Sequence, residues 1–426
     1  MAKKKKTNPF QALKLAKAQH HNDYLRKLEY WCNTICGEKV FKHLPNTYVE
    51  FIYKCRCRSF KIEVAEGHTV KKEVLKDCEV LVIDQLEKEE HCLSEELPMI
   101  SFADYYTIGI SLSFIPNDIK RGAKTFGSDI DAILMKLEII DEKFMDIGLE
   151  LDTTLCVFGY QSSAIGKPLY WLSFDIKKKN ETDPFLHNII RIQSHILETD
   201  SINIDGNQRP IIRVGWTFAN FGIDYSSIKP IALGIKSQFA EIPMDVYIQS
   251  HALMRLSERI DSFNTDVLHL NIYISLKNPV FCYDINKRIL IEYRFFDVKV
   301  GYFRADIIDG KIVLRTFLFI LNNGTPESQK LEQNTGLQKF DIEYLVIHKL
   351  SSFMNSDINK NEAVKKIFID ADCQCLLELY DNMKTLLKKT TDTFDSKHLL
   401  EYLKFKDVEE MLTEAELNLN LKEMLV

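Results

Sequence analysis

One stretch of the chain, Asp245 to Leu321, gathers imidazole, guanidinium and carboxylate groups at spacings that could do chemistry together. Its first part runs Ser250-His251-Ala252-Leu253-Met254-Arg255-Leu256-Ser257-Glu258-Arg259-Ile260. With Ser250 as N-cap and about 100° per helical residue, His251, Arg255, Glu258 and Arg259 fall within about a quarter-turn of one another. Ala252, Leu253, Leu256 and Ile260 fall on the opposite side. An imidazole moves protons near neutral pH, and guanidiniums hold phosphate oxygens through paired N–H groups. The pattern therefore suits proton transfer on an anionic substrate. It also describes a common amphipathic helix with a charged outer face.

The second part reads as a hairpin, Val298 to Leu321, folded at Asp309-Gly310. Asp-Gly between alternating apolar runs predicts a two-residue turn with both φ angles positive. If Ile308 pairs with Lys311, Arg304 lies opposite Arg315, Phe303 opposite Thr316 and Tyr302 opposite Phe317. Thr316 then belongs to the core face with Phe303, Ala305, Ile307, Ile312 and Leu314. Like charges facing each other on a sheet are destabilising. Either Asp306, diagonal to Arg315, relieves the pair, or a bound anion does.

His-Ala-x-x-Arg-x-x-Glu-Arg on a helix, followed by a small antiparallel sheet, resembles the helix signature of RelE/BrnT-type and related barnase-like toxin ribonucleases. The resemblance covers about residues 245–321, under a fifth of the chain. It implies metal-free RNA cleavage, in which a base takes the 2′-hydroxyl proton, a cation steadies the phosphorane and an acid protonates the leaving 5′-oxygen. Carried over, His251 and Arg255 are the expected catalytic residues, and Arg259, Arg304 and Arg315 the expected phosphate-binding ones. No metal or cofactor is expected. The chain departs from the family in charge, since Glu241 to Lys330 balances eleven basic against eleven acidic residues. It departs again at Thr316, which the expected register turns toward the core.

Other motifs carry less. Ser128-Asp129-Ile130-Asp131 is similar to the paired carboxylates with which nucleotidyltransferases hold Mg²⁺. The Gly-Ser turn required upstream is missing, and a capped acidic first turn explains the same residues. Cys55/Cys57 and Cys373/Cys375 have Cys-x-Cys spacing, whereas zinc sites usually use Cys-x2-Cys. His20-His21 points two ways on a helix.

The elements that must position these residues follow from periodicity. A helix runs from Asn8-Pro9 to Cys36, with Gly37 as its stop. Val40 to Phe60 is strand-like, Val70 to Leu97 helical, and Ile100 to Ile115 a strand. A helix then runs from Ser128 to Gly148. Leu149 to Ile176 and Phe185 to Val214 read as strands, the latter turning at Ile204-Asp205-Gly206-Asn207. Trp216 to Phe239 is mixed. After the hairpin comes a polar loop, a helix carrying Phe340, Tyr344, Ile347 and Leu350, a break at Asn355–Asn361, and helix from Glu362 to Val426. The expected class is α+β and multi-domain: mostly antiparallel sheet with flanking helices and a helical C-terminal appendage. The expected division is an N-terminal helix (1–39), an α+β domain (40–240), the helix-plus-sheet module (241–335) and a helical C-terminal region (336–426).

Bulk properties bound the function. The 426 residues are 46% hydrophobic and 27% charged, enough apolar content to bury a sizeable core. No apolar run reaches the length a membrane helix needs, and no apolar segment follows Lys3–Lys6, so neither a membrane partner nor a secretory signal is expected. The ten cysteines, scattered through apolar segments, suit a reducing compartment, and the expected location is cytoplasmic. The leading expectation is an RNA-directed module acting as a metal-independent endoribonuclease. The alternative is a non-enzymatic interaction or scaffold protein that docks a protein partner through its acidic C-terminal helices. A third reading is Mg²⁺-dependent nucleotidyl transfer at Asp129 and Asp131, which needs a third carboxylate nearby.

Overall fold

A computed structural model describes residues 9–37, 39–178, 182, 185–218, 222–355, 358–383, 399 and 402–403. The class is α+β, with helices flanking sheets whose strands pair mostly antiparallel. The chain forms two compact units, Met1–Ser162 with Tyr170–Ser194, and Ser163–Leu169 with His195–Val426. This differs from the four segments expected, because strands before residue 240 share a sheet with strands after it.

The first unit is mainly helical. Helix α1 (Pro9–Cys36) ends at Gly37, whose φ of 76° takes the left-handed conformation a helix stop favours. Its Leu28, Trp31 and Ile35 are buried, whereas Leu13 and Leu15 near its start are exposed. The segment expected as a strand from Val40 to Phe60 is instead helix α2 (Asn46–Cys55), followed by β1 (Cys57–Val64). Pro45 starts the helix, and Tyr48, Val49 and Ile52 are buried at helical spacing, which overrides their strand-favouring composition.

Helix α3 (Lys72–Lys88) falls within the expected range. Ile100 to Ile115 is not a strand. Past Ile100–Ser101 it is a run of helical turns from Phe102 to Leu112, and a further helix begins at Phe114. Ser101 caps it, its side chain accepting the Asp104 N–H at 3.1 Å. Apolar residues are buried on every side of this run, so neither period was visible. Helix α4 (Phe144–Gln161) passes through Gly148, where a stop was expected, and Ile147, Leu151 and Leu155 are buried one turn apart. The expected strand at Leu149 therefore begins only at β2 (Leu169–Lys178). A three-stranded sheet, β1-β3-β2, completes the unit, with β3 (Leu186–His195) parallel to β1.

The second unit is built on an eight-stranded sheet. In chain order seven of its strands are β4 (Thr199–Ile204), β5 (Asn207–Arg213), β6 (Met244–Ile248), β7 (Phe281–Tyr283), β8 (Ile289–Phe295), β9 (Val298–Ile308) and β10 (Lys311–Phe319). Their order across the sheet is β7-β8-β9-β10-β6-β5-β4, and Ser227–Ile228 pairs with β6. Only β6 and β10 run parallel. Both predicted hairpins are present: β4 and β5 turn at Asp205-Gly206, β9 and β10 at Asp309-Gly310, with positive φ at all four residues.

Helices α5 (Ser250–Arg259) and α6 (Thr265–Lys277) join β6 to β7. On the face that meets α6, the rings of Tyr293, Phe303 and Phe317 cluster, and the Tyr293 hydroxyl donates to the Leu268 carbonyl at 3.0 Å. On the opposite face Tyr302 donates to Glu327 Oε1 at 2.7 Å, and Lys299 Nζ pairs with the same oxygen at 2.6 Å. Glu327 opens helix α7 (Pro326–Thr335), so one carboxylate ties that helix to β9.

Helix α8 (Lys339–Tyr344) follows; Ile347 and Leu350 are buried beyond it, but Phe340 and Tyr344 are exposed. The break before Glu362 is present. The expected continuous helix after it is interrupted at Ala371–Cys373, between α9 (Glu362–Asp370) and α10 (Gln374–Met383), where Asp372 has φ 60°. The rest of the acidic C-terminal stretch expected to dock a partner lies largely outside the described residues.

Candidate functional site

Helix α5 starts directly from β6, and its cap differs from the one expected. Gln249, with extended φ and ψ, is the N-cap, and Ser250 is the first helical residue. The faces are as the spacing predicts: Ala252, Leu253, Leu256 and Ile260 are buried, while His251 and Glu258 are exposed. Arg255 and Arg259 are half-buried. Arg255 Nη1 pairs with Glu258 Oε2 at 2.8 Å, about one helical turn along. Among the described residues no carboxylate reaches ion-pair distance of Arg259. Burial, with the charge of Arg255 added, pushes its guanidinium below the usual range.

The hairpin corrects the expected register. Four pairs follow it, from Ile308 with Lys311 to Ala305 with Leu314. The register then shifts by one residue, so Arg304 faces Thr316 and Phe303 faces Phe317. Arg315 is the extra residue, a β-bulge. The bulge avoids setting two guanidiniums directly opposite each other. Freed from the ladder, Arg315 Nη1 pairs with Asp306 Oδ2 at 2.8 Å, and its Nε donates to the Gln249 side chain at 3.0 Å. Asp306 thus supplies one of the two means of neutralisation expected. Arg304 is left half-buried, its Nε without a hydrogen-bond partner.

The constellation is divided between two cavities. One, of about 370 Å³, is lined by His251, Arg315, Gln249 and Ser250, and by Asp205, Asn207 and Arg209 from the β4–β5 hairpin. The other, of about 340 Å³, holds Arg255, Arg259, Lys339 and Glu343, with Thr316 in its wall. Thr316 therefore lines a cavity that also holds two of the candidate arginines, not the core side on which the expected register put it. His251 and Arg315 are brought together. Arg255 and Arg259 stay together but in the other cavity, and Arg304 lines neither.

Asp205 and Arg209 did not emerge from the sequence as site residues. The Asp205-Gly206 turn was legible, but nothing local says that β5 pairs with β6. That pairing, Tyr247 with Arg213 and Ile248 with Ile212, brings the hairpin beside the start of α5. In chemical terms the first cavity holds a carboxylate, an imidazole and two guanidiniums, enough to take a proton, give one and hold an anion.

The Asp129/Asp131 pair is explained locally. Asp131 accepts from Thr125 Oγ1 at 2.6 Å and from the Phe126 N–H at 2.8 Å, closing the turn before its helix. Among the described residues no three His, Cys, Asp or Glu side chains gather as a metal site, so the third carboxylate is not supplied. All ten cysteines are free. No helix among the described residues is long and apolar enough to cross a membrane.

No protein-family model matches the chain, no curated protein matches its sequence, and no solved structure matches its fold.

Proposed function

We propose that this is an RNA-directed protein of the cytoplasm whose second unit cleaves an RNA phosphodiester without a metal, in the cavity between the β4–β5 turn and the start of α5. The observation that carries the reading is that His251, Asp205, Arg209 and Arg315 line one cavity. The resemblance of the α5 segment to toxin ribonucleases supports the same chemistry. In this mechanism Asp205 takes the proton of the attacking 2′-hydroxyl and the 2′-oxygen bonds to phosphorus. The bond from phosphorus to the 5′-oxygen breaks, and His251 donates the proton that the leaving oxygen needs. Arg209 and Arg315 hold the non-bridging oxygens. The products are a 2′,3′-cyclic phosphate and a 5′-hydroxyl. The free cysteines support the cytoplasmic assignment.

A second reading is a binding protein that holds RNA or a protein partner without chemistry. The ion pairs Arg315–Asp306 and Arg255–Glu258 favour it, since cations already neutralised gain less from an anion. The test is incubation of the purified full chain with an end-labelled single-stranded RNA in EDTA. Loss of His251 is expected to slow cleavage about 10²–10⁴-fold, the usual worth of an acid–base group. Absence of cleavage by the wild type, or equal cleavage by His251→Ala, refutes the enzymatic reading. Binding without cleavage, weakened by Arg315→Ala, supports the second.

A further inference from the structure

A cavity of about 820 Å³ in the first unit lies where α1, α2 and the start of β1 meet. Four cations line it, Lys17, Lys27, Arg56 and Arg58, against one carboxylate, Asp23. Asp23 is engaged by Arg26, and Lys27 pairs with Asp104. That leaves Lys17, Arg56 and Arg58 without a carboxylate partner among the described residues.

The two arginines are held by rings rather than by counter-charges. The Arg56 guanidinium stacks 3.8 Å from the centre of the Tyr53 ring and 5.1 Å from that of Phe185, and Arg58 stacks 4.0 Å from Phe185. Arg56 Nη1 also donates to the Tyr53 carbonyl at 2.6 Å. Stacking uses the flat face of a guanidinium and leaves N–H groups in its plane for an acceptor. Two such groups sharing one aromatic ring repel each other, and burial with the charge of Arg58 pushes Arg56 below its usual range. Among the described residues no carboxylate gives either arginine a structural ion pair; Arg56 is half-buried and Arg58 exposed. The remaining wall is largely apolar or aromatic, including Tyr24, Ile108 and Ala16.

We propose that this cavity binds an organic phosphate of mononucleotide size, its phosphate held by Arg56, Arg58 and Lys17 and its organic part lying on the apolar wall. The volume is in the range of small-molecule sites, about 300–1,000 Å³. The residues are different from those of the RNA cavity, so the two readings stand or fall separately.

The test is calorimetric titration of the full chain with adenosine monophosphate, inorganic phosphate and a ten-nucleotide single-stranded RNA. The expected result is that the mononucleotide binds at least tenfold tighter than inorganic phosphate. Arg58→Gln, an exposed position, is expected to weaken both by at least tenfold with the melting temperature unchanged. Arg56→Lys keeps the charge but loses the planar fork, and is expected to weaken mononucleotide binding as well. No mononucleotide binding at millimolar concentration, affinity equal to that of inorganic phosphate, or binding that Arg58→Gln leaves intact overturns the proposal. RNA binding without mononucleotide binding overturns it too.

Discussion

Acidification from pH 7.5 to 5 is expected to destabilise the second unit through one residue, His269 on α6. The residue is 3% exposed. Nδ1 accepts the Ile165 N–H at 2.9 Å, which puts the ring proton on Nε2, an atom buried without a hydrogen-bond partner. Protonation would place a second N–H against that of Ile165, so the folded state holds the ring neutral. Burial first, and the charge of Lys167 second, push its pKa from 6.5 down to about 4. The sign follows. Above 6.5 both states are neutral and the group contributes no pH dependence. Between 6.5 and about 4 the unfolded chain takes up a proton that the folded one refuses, and stability falls with pH. Proton linkage gives a loss of about 2 kcal/mol by pH 5 and about 3 kcal/mol once both states are protonated. For a unit of this size about 2 kcal/mol corresponds to roughly 4–8 °C in melting temperature. The assay is thermal unfolding from pH 7.5 to 5 of wild type and His269→Asn, which keeps an acceptor near Nδ1 but does not titrate. The variant is expected to start lower and fall less steeply, by that difference. Parallel curves would refute the claim that His269 is held neutral by burial.

Two further predictions test the sheet. Gly301 on β9 lies where an added Cβ would meet the Leu318 carbonyl oxygen and come within 2.7 Å of the Phe317 ring, so Gly301→Ala is expected to cost about 3 kcal/mol in urea unfolding. Retained stability would mean that the two strands are not so closely apposed. Glu327→Gln removes the counter-charge of Lys299 and is expected to cost about 2 kcal/mol. That is below the range for a fully buried pair, because the lysine is 23% exposed; an unchanged urea midpoint would make the pair incidental.

Sequence reading succeeded where the signal was local. The Asp205-Gly206 and Asp309-Gly310 turns need positive φ at consecutive residues, and few dipeptides supply it. The apolar stripe of α5 was legible because its polar side is solvated. It failed where burial is complete. Between Phe102 and Ile115 apolar residues occupy every side, so the contrast that reveals a period is missing. At Tyr48, Val49 and Ile52, composition favoured a strand while spacing favoured a helix, and the helix started by Pro45 prevailed. The candidate cavity was legible in half. His251 and Arg315 were identified and share a cavity, but Asp205 and Arg209 arrive through the pairing of β5 with β6, which no local pattern encodes.

The bulge at Arg315 is where these two limits meet. Turn geometry correctly fixed the first four pairs of the hairpin, and extrapolating it two residues further set Arg304 against Arg315. A sheet cannot hold that arrangement cheaply, and one inserted residue changes two things at once. Arg315 reaches Asp306 and Gln249, and Thr316 takes its place opposite Arg304. The like-charge conflict was thus informative in the sequence even though its resolution was not. It marked the position where a regular ladder would fail, and there the sheet gives an arginine to the cavity that also contains His251.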